Sequence, residues 1–120
     1  MKRIIRIPRR ATSRQTLLHF TRQLRVFIRS GIALDEAIRI ISEESEDSSL
    51  RSALISILET LDTGASLSDG FDMHPKVFPP YFVGLIRSAE ETGAFVETLD
   101  SLIGYQSRVI ETREIGRAHV

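Results

Sequence analysis

The stretch from residue 14 to residue 42, RQTLLHFTRQLRVFIRSGIALDEAIRIIS, decides the fold. Ser13 stands just before it, a residue type whose side-chain oxygen satisfies an orphan amide of a first helical turn. Leu17, Phe20, Leu24, Phe27 and Ile28 then recur at helical spacing, while Arg14, Arg22, Arg25 and Arg29 fall mostly on the other side. Ser30-Gly31 ends the helix, with glycine just past the last turn. Only Ile32, Ala33 and Leu34 separate it from a second helix, Asp35 to about Glu44, with Leu34, Ala37, Ile38 and Ile41 on one stripe. Asp35 and Glu36 sit in its first turn, where the helix dipole favours negative charge. A link this short returns the chain beside itself, so the stretch is an antiparallel helical hairpin.

The pattern continues outward. Glu43–Asp47 is a polar turn, and Asp47 or Ser48 caps a third helix carrying Leu50, Leu54, Ile57, Leu58 and Leu61. Thr63-Gly64 closes it. Ser66, with Asp69 three residues on, opens a short fourth helix in the manner of a weak capping box. That helix ends by Met73, because His74 precedes Pro75 and the residue before proline avoids the helical region. Pro79 and Pro80 open a fifth helix with Phe82, Leu85, Ile86 and Ala89 on its face, and Thr92-Gly93 ends it. The sixth carries Phe95, Leu99, Leu102, Ile103, Tyr105, Val109 and Ile110. No segment alternates with a period of two, so the expected fold is all-α, an antiparallel six-helix bundle built from helical hairpins.

Composition narrows the function. At 120 residues the chain is one domain, and 42% hydrophobic with 27% charged residues suits a globular core. Without cysteine there are no disulfides, thiolate chemistry or cysteine zinc sites, which fits a reducing compartment. The uncharged run Val77–Ile86 is ten residues long and holds Pro79 and Pro80, well short of the ~20 needed to span a bilayer. Basic residues interrupt the N-terminus where a signal peptide would need an apolar run. These 120 residues are therefore expected to be soluble and cytoplasmic. The net charge of zero hides a split: residues 1–34 hold nine basic residues and no acid, and residues 35–120 hold seven basic and 16 acidic ones.

Catalytic signatures are missing. The only lysines, Lys2 and Lys76, do not follow a glycine as a phosphate-binding loop requires. His19, His74 and His119 are far apart and form no helical metal pair. Gly64–Ser68 lacks the last glycine of a nucleophile elbow, and a capping role accounts for Ser66. The acidic turn Glu43–Asp47 lacks the ligand order and central glycine of an EF-hand and reads as a solvated turn, although its carboxylates suit a hard cation. Glu90 and Glu91 are helical neighbours pointing in different directions, which suits a surface or interface better than acid–base catalysis. The basic first third, with residues 1–12 as an arm, could meet anionic lipid, an acidic protein face or nucleic-acid phosphates. A small basic-armed nucleic-acid-binding helical module is thus the competing reading. Against it, aromatic residues do not interleave with the basic ones, and the rest of the bundle is acidic.

Five motifs, in order, carry a resemblance. Phe20-Thr21-Arg22-Gln23-Leu24 with Ser30-Gly31-Ile32-Ala33-Leu34, then Gly64-Ala65-Ser66-Leu67-Ser68, His74-Pro75-Lys76-Val77-Phe78-Pro79-Pro80, and Glu90-Glu91-Thr92-Gly93 followed by Phe95 and Leu99, resemble the F domain of type II secretion system protein F and type IV pilus platform proteins. The match spans about residues 13–113 and is most like the first, cytoplasmic copy of that domain. Ala89 stands where the family has glycine, which leaves a methyl at a close helix approach.

The resemblance implies a six-helix cytoplasmic bundle of a bacterial inner-membrane platform, non-enzymatic and without cofactor or metal. Its implied partners are the secretion or pilus assembly ATPase, other inner-membrane platform proteins, pilin-like subunits and further copies of itself, with membrane attachment through a transmembrane helix downstream; no nucleic acid is expected. It marks Phe20, Arg22, Gln23, Leu24, Gly31, Gly64, Pro75, Phe78, Pro79, Glu90 and Gly93 as motif or interface residues. Residues 114–120, EIGRAHV, back-translate as the opening of a common sequencing adapter and are expected to be a non-native tail. Positive charge on the arm and first helix suits a domain lying beneath an anionic membrane.

Overall fold

The computed structural model describes residues 11–118. Six helices follow in order: α1 Arg14–Arg29, α2 Leu34–Glu44, α3 Ser48–Asp62, α4 Leu67–Asp72, α5 Pro80–Thr92 and α6 Phe95–Ala118. The fold is all-α, as the periodicity requires. Most of the basic arm lies outside the described residues. Thr12, assigned to that arm, is tied into the fold: its amide donates to the Lys76 carbonyl at 3.1 Å and its hydroxyl to Asp47 at 3.1 Å. Residues 114–118 continue α6 without a break.

Local chemistry sets the helix ends. The Ser13, Asp47 and Ser66 side chains accept from the amides of Thr16, Leu50 and Asp69, capping α1, α3 and α4. Pro79 and Pro80 open α5, where a missing N–H leaves nothing unpaired. After α1, the amides of Gly31 and Ile32 fold back on the carbonyls of Ile28 and Phe27. After α3, those of Gly64 and Ala65 fold back on Leu61 and Thr60. Both turns require a left-handed residue, and Gly31 and Gly64 supply it at φ of 85° and 90°.

Each helix packs against its two neighbours in the chain, and α1 packs against α6, so the described helices close into a ring. Side-chain pairs give the directions. Arg25, late in α1, pairs with Asp100, early in α6. Leu67 at the start of α4 meets Glu90 near the end of α5, and the Tyr81 ring at the start of α5 meets that of Tyr105 of α6 in a tilted contact, with centroids 4.8 Å apart. These neighbours are antiparallel.

Phe20, Phe71, Phe78 and Phe82 fill the centre, each at most 1% exposed. Every pair among them is in ring contact, with centroids from 4.3 Å for Phe71–Phe78 to 6.4 Å for Phe20–Phe82. Leu24, Ile38, Leu54, Ile57, Ile86, Leu99 and Leu102 surround them. Gly70 lets α4 lie close to α3: a β-carbon there would come within 3.2 Å of Ile57 and Thr60.

The sequence pattern misplaces residues on two helices: Leu85, expected on the face of α5, is 36% exposed. Tyr105, expected on the packed side of α6, is 43% exposed, whereas Gln106 is buried at 4%. Leu99, Leu102 and Gln106 follow helical spacing toward the core, and Tyr105 lies about 100° around the helix from Gln106.

Truncating Phe82 to alanine should lower stability by about 3–5 kcal/mol through lost burial and the cavity left behind. Val26→Ala, at an exposed position, should stay within about 0.5 kcal/mol. Urea unfolding of both variants checks the contrast.

Candidate functional site

The motif residues divide into three structural groups. Phe20, Leu24 and Phe78 are core. Gly31, Gly64 and Gly93 are left-handed helix ends, and Pro79 caps α5 while Pro75 lies exposed in the turn before it. Glu90 has a role of its own. Its carboxylate accepts from the Leu67 amide at 2.8 Å, the Ser68 amide at 3.2 Å and the Ser68 hydroxyl. The first amides of α4 have no partner within their own helix, and a carboxylate is their best acceptor, because the helix dipole is positive there. Glu90 thus turns inward onto the chain's own α4. It joins the Gly64–Ser68 motif to the Glu90–Gly93 motif across the α4–α5 hairpin.

The Ser66–Asp69 spacing predicts a weak capping box at the start of α4. Instead Asp69 faces outward to Arg87, at 3.0 Å. The Arg87 hydrogen bond, helped by Ser66, holds the Asp69 carboxyl below its ordinary value, and Asp69 in turn holds the Arg87 guanidinium above its own. Only the tertiary approach of α5 could reveal that Glu90, 22 positions from Ser68, shares the cap with Ser66.

Arg22 and Gln23 lie on the outside of α1. Arg22 is exposed, with no ion pair to a carboxylate among the described residues. Gln23 lines a polar cleft of about 580 Å3, with Gln15, Thr16 and His19 on the α1 wall and Glu44, Ser45, Glu46, Asp47 and Leu50 opposite. No group of three or more histidine, aspartate or glutamate side chains among the described residues is arranged to hold a metal ion. The acidic turn therefore forms one wall of this cleft, beside the polar face of α1.

A second cavity, missed by the sequence reading, lies where α1, α5 and α6 meet. Gln106 lines it, with Arg14, Tyr81, Tyr105, Val109 and Arg113. Both polar atoms of the Gln106 amide are buried without a well-formed hydrogen bond among the described residues. A buried amide left in this state costs about 1–3 kcal/mol. Burial pushes the Tyr81 phenol up, while the nearby Gln106 amide and Arg14 pull it down. The signal in the sequence was a polar residue at the core-facing position after Leu99 and Leu102.

Fold and motif positions together define a helical scaffold domain, in which the recurring residues set helix ends and lock one hairpin. The chain belongs to the type II secretion system (T2SS) protein F family, whose model matches residues 20–118. It is 31% identical over 97 residues to the type II secretion system protein F of Vibrio cholerae, an alignment covering 81% of this chain and 24% of that protein. It is 28% identical over 111 residues to the type IV pilus assembly protein PilC of Thermus thermophilus, covering 91% of this chain and 27% of that protein. The PilC of Myxococcus xanthus is 28% identical over 92 residues, with 77% and 22% covered. The chain thus spans about a quarter of the length of these relatives.

Glu90→Ala should lower stability by about 1–3 kcal/mol, since two α4 amides lose their acceptor. Hydrogen exchange should accelerate at the Leu67 and Ser68 amides. Glu91→Ala, exposed one residue on, should change neither quantity beyond about 0.5 kcal/mol.

The depressed Asp69 carboxyl makes a separate prediction. Its contribution to stability is present above its unfolded-state value and is lost as pH falls through the lower native value. Asp69→Asn should flatten the acid limb of a stability profile and leave the neutral region nearly unchanged. Because the pair is exposed, the difference will be small.

Proposed function

We propose that this bundle is the cytoplasmic domain of a bacterial inner-membrane platform protein for type II secretion or type IV pilus biogenesis. The observation that carries the reading is the family match, which runs through nearly the whole bundle, with relatives named for both systems. The proposed role is mechanical and non-enzymatic. The bundle docks the assembly ATPase and neighbouring platform components, meets pilin-like subunits and further copies of itself, and passes motion to membrane helices elsewhere in the full protein. No helix among the described residues is long and apolar enough to cross a membrane.

Several features support a docking role. The closed ring and aromatic centre make a stiff body, which transmits displacement instead of absorbing it. The phenylalanine and glycine motif residues hold that body together, while Arg22 and Gln23 of α1 and Pro75 in the turn before α5 reach its outer face. Arg22 has no ion pair to a carboxylate among the described residues, and its neighbour Gln23 lines a cleft walled by Glu44, Glu46 and Asp47. Adjacent charge of both signs favours register and orientation in a protein complex.

Titrating the chain with the assembly ATPase from the same organism tests the partner. Saturable binding is expected, weakened about tenfold or more by Arg22→Glu, since like charges brought together at an interface cost several kcal/mol. No binding at about 100 µM with both proteins folded would overturn the ATPase assignment; that concentration would detect even weak complexes. Expressed with its natural downstream sequence, the protein should sediment with membranes, and recovery as a soluble protein would overturn the membrane assignment.

A further inference from the structure

We propose that the cavity between α1, α5 and α6 is a phosphate-binding site. It is a partly open cavity of about 170 Å3, several times the roughly 30 Å3 that a water molecule occupies in the liquid, and has room for one phosphate group. Arg14 comes from the first turn of α1, Tyr81 from the first turn of α5, and Tyr105, Gln106, Val109 and Arg113 from α6. No acidic residue lines it.

Arg14 and Arg113 have no carboxylate partner among the described residues, although three other arginines do. Two guanidinium-bearing residues around one small space repel each other unless an anion lies between them. The Gln106 amide is buried at the same place, beside the Tyr81 phenol, and neither of its polar atoms makes a well-formed hydrogen bond among the described residues. A phosphate group would relieve the repulsion and give the Gln106 NH2 an acceptor. Its oxygens accept from the guanidinium forks, the Gln106 NH2 and the Tyr81 hydroxyl. Burial keeps that hydroxyl protonated, and so a donor. Charge favours phosphate over carboxylate, because a phosphate monoester carries nearly two negative charges against the two arginines. The site neither requires nor presupposes the platform role.

The protein supplies its own probe. It has two tyrosines and no tryptophan, and both tyrosines line this cavity, so tyrosine emission reports on the site alone. The 120-residue chain is titrated with inorganic phosphate at constant ionic strength. A saturable change is expected, absent with chloride or acetate. Gln106→Leu and Arg113→Ala should each weaken it about tenfold or more, the loss of one charge-assisted or buried hydrogen bond. Arg113 is exposed, so its replacement leaves the core intact.

Vesicles containing phosphatidic acid, whose headgroup is a phosphate monoester, distinguish the sources. A vesicle-induced signal that inorganic phosphate competes away, and that both variants lose, assigns the site to a lipid headgroup. Saturation by inorganic phosphate alone assigns it to a free phosphate or soluble ester. No saturation up to about 10 mM, where a site of millimolar affinity is mostly filled, would overturn the proposal. So would an equal response to acetate, or a response undiminished in both variants.

Discussion

Four phenylalanine rings meeting at the centre of the ring of helices are the constraint on which the rest depends. Phe20 comes from α1, Phe71 from α4, Phe82 from α5, and Phe78 from the turn between the last two. Helices that do not lie side by side are thereby held to one point. Aromatic rings bury large areas and prefer tilted or edge-on contacts, so the cluster specifies geometry as well as supplying hydrophobic stabilisation. The turn at Pro75–Pro79 follows from it. Phe78 must reach the core, and the amides of Val77 and Phe78 fold back on the His74 carbonyl to aim it there.

The Glu90 clamp rests on that packing. A helix of six residues such as α4 has little stability of its own, because the nucleation penalty falls on too few hydrogen bonds. Two things hold it: Phe71 and Gly70 against the core, and the carboxylate of Glu90 on its first amides. Two motifs separated in sequence thus form one structural device. Helix-end chemistry and packing account for both.

Much of this was legible in the residues. Ser13, Asp47 and Ser66 as caps, Gly31, Gly64 and Gly93 as stops, and Pro79-Pro80 as a start all follow from local stereochemistry, and the helices end within a residue of where those signals put them. The inward turn of Glu90 was not legible. Its neighbour Glu91 has the same chemistry, and only the side of α5 that meets α4 separates a clamp from a solvated acid. Gln106 was obscured for a related reason. Apolar residues surround it on α6, so hydropathy alone could not choose between the Leu99–Leu102–Gln106 face and one containing Tyr105.

By itself the sequence determined the helices, their order, the short links that make neighbours antiparallel, and the family. Each depends on interactions within a few residues or on motifs read in order. Tertiary structure alone decided that α1 and α6 close the ring, that Glu90 caps a helix 22 positions away, and that Arg14, Tyr81, Gln106 and Arg113 gather at one cavity. The physical reason is range. Caps and turns are set by neighbouring atoms, whereas these juxtapositions join groups far apart in the chain, and they exist only once the aromatic core has fixed where each helix lies.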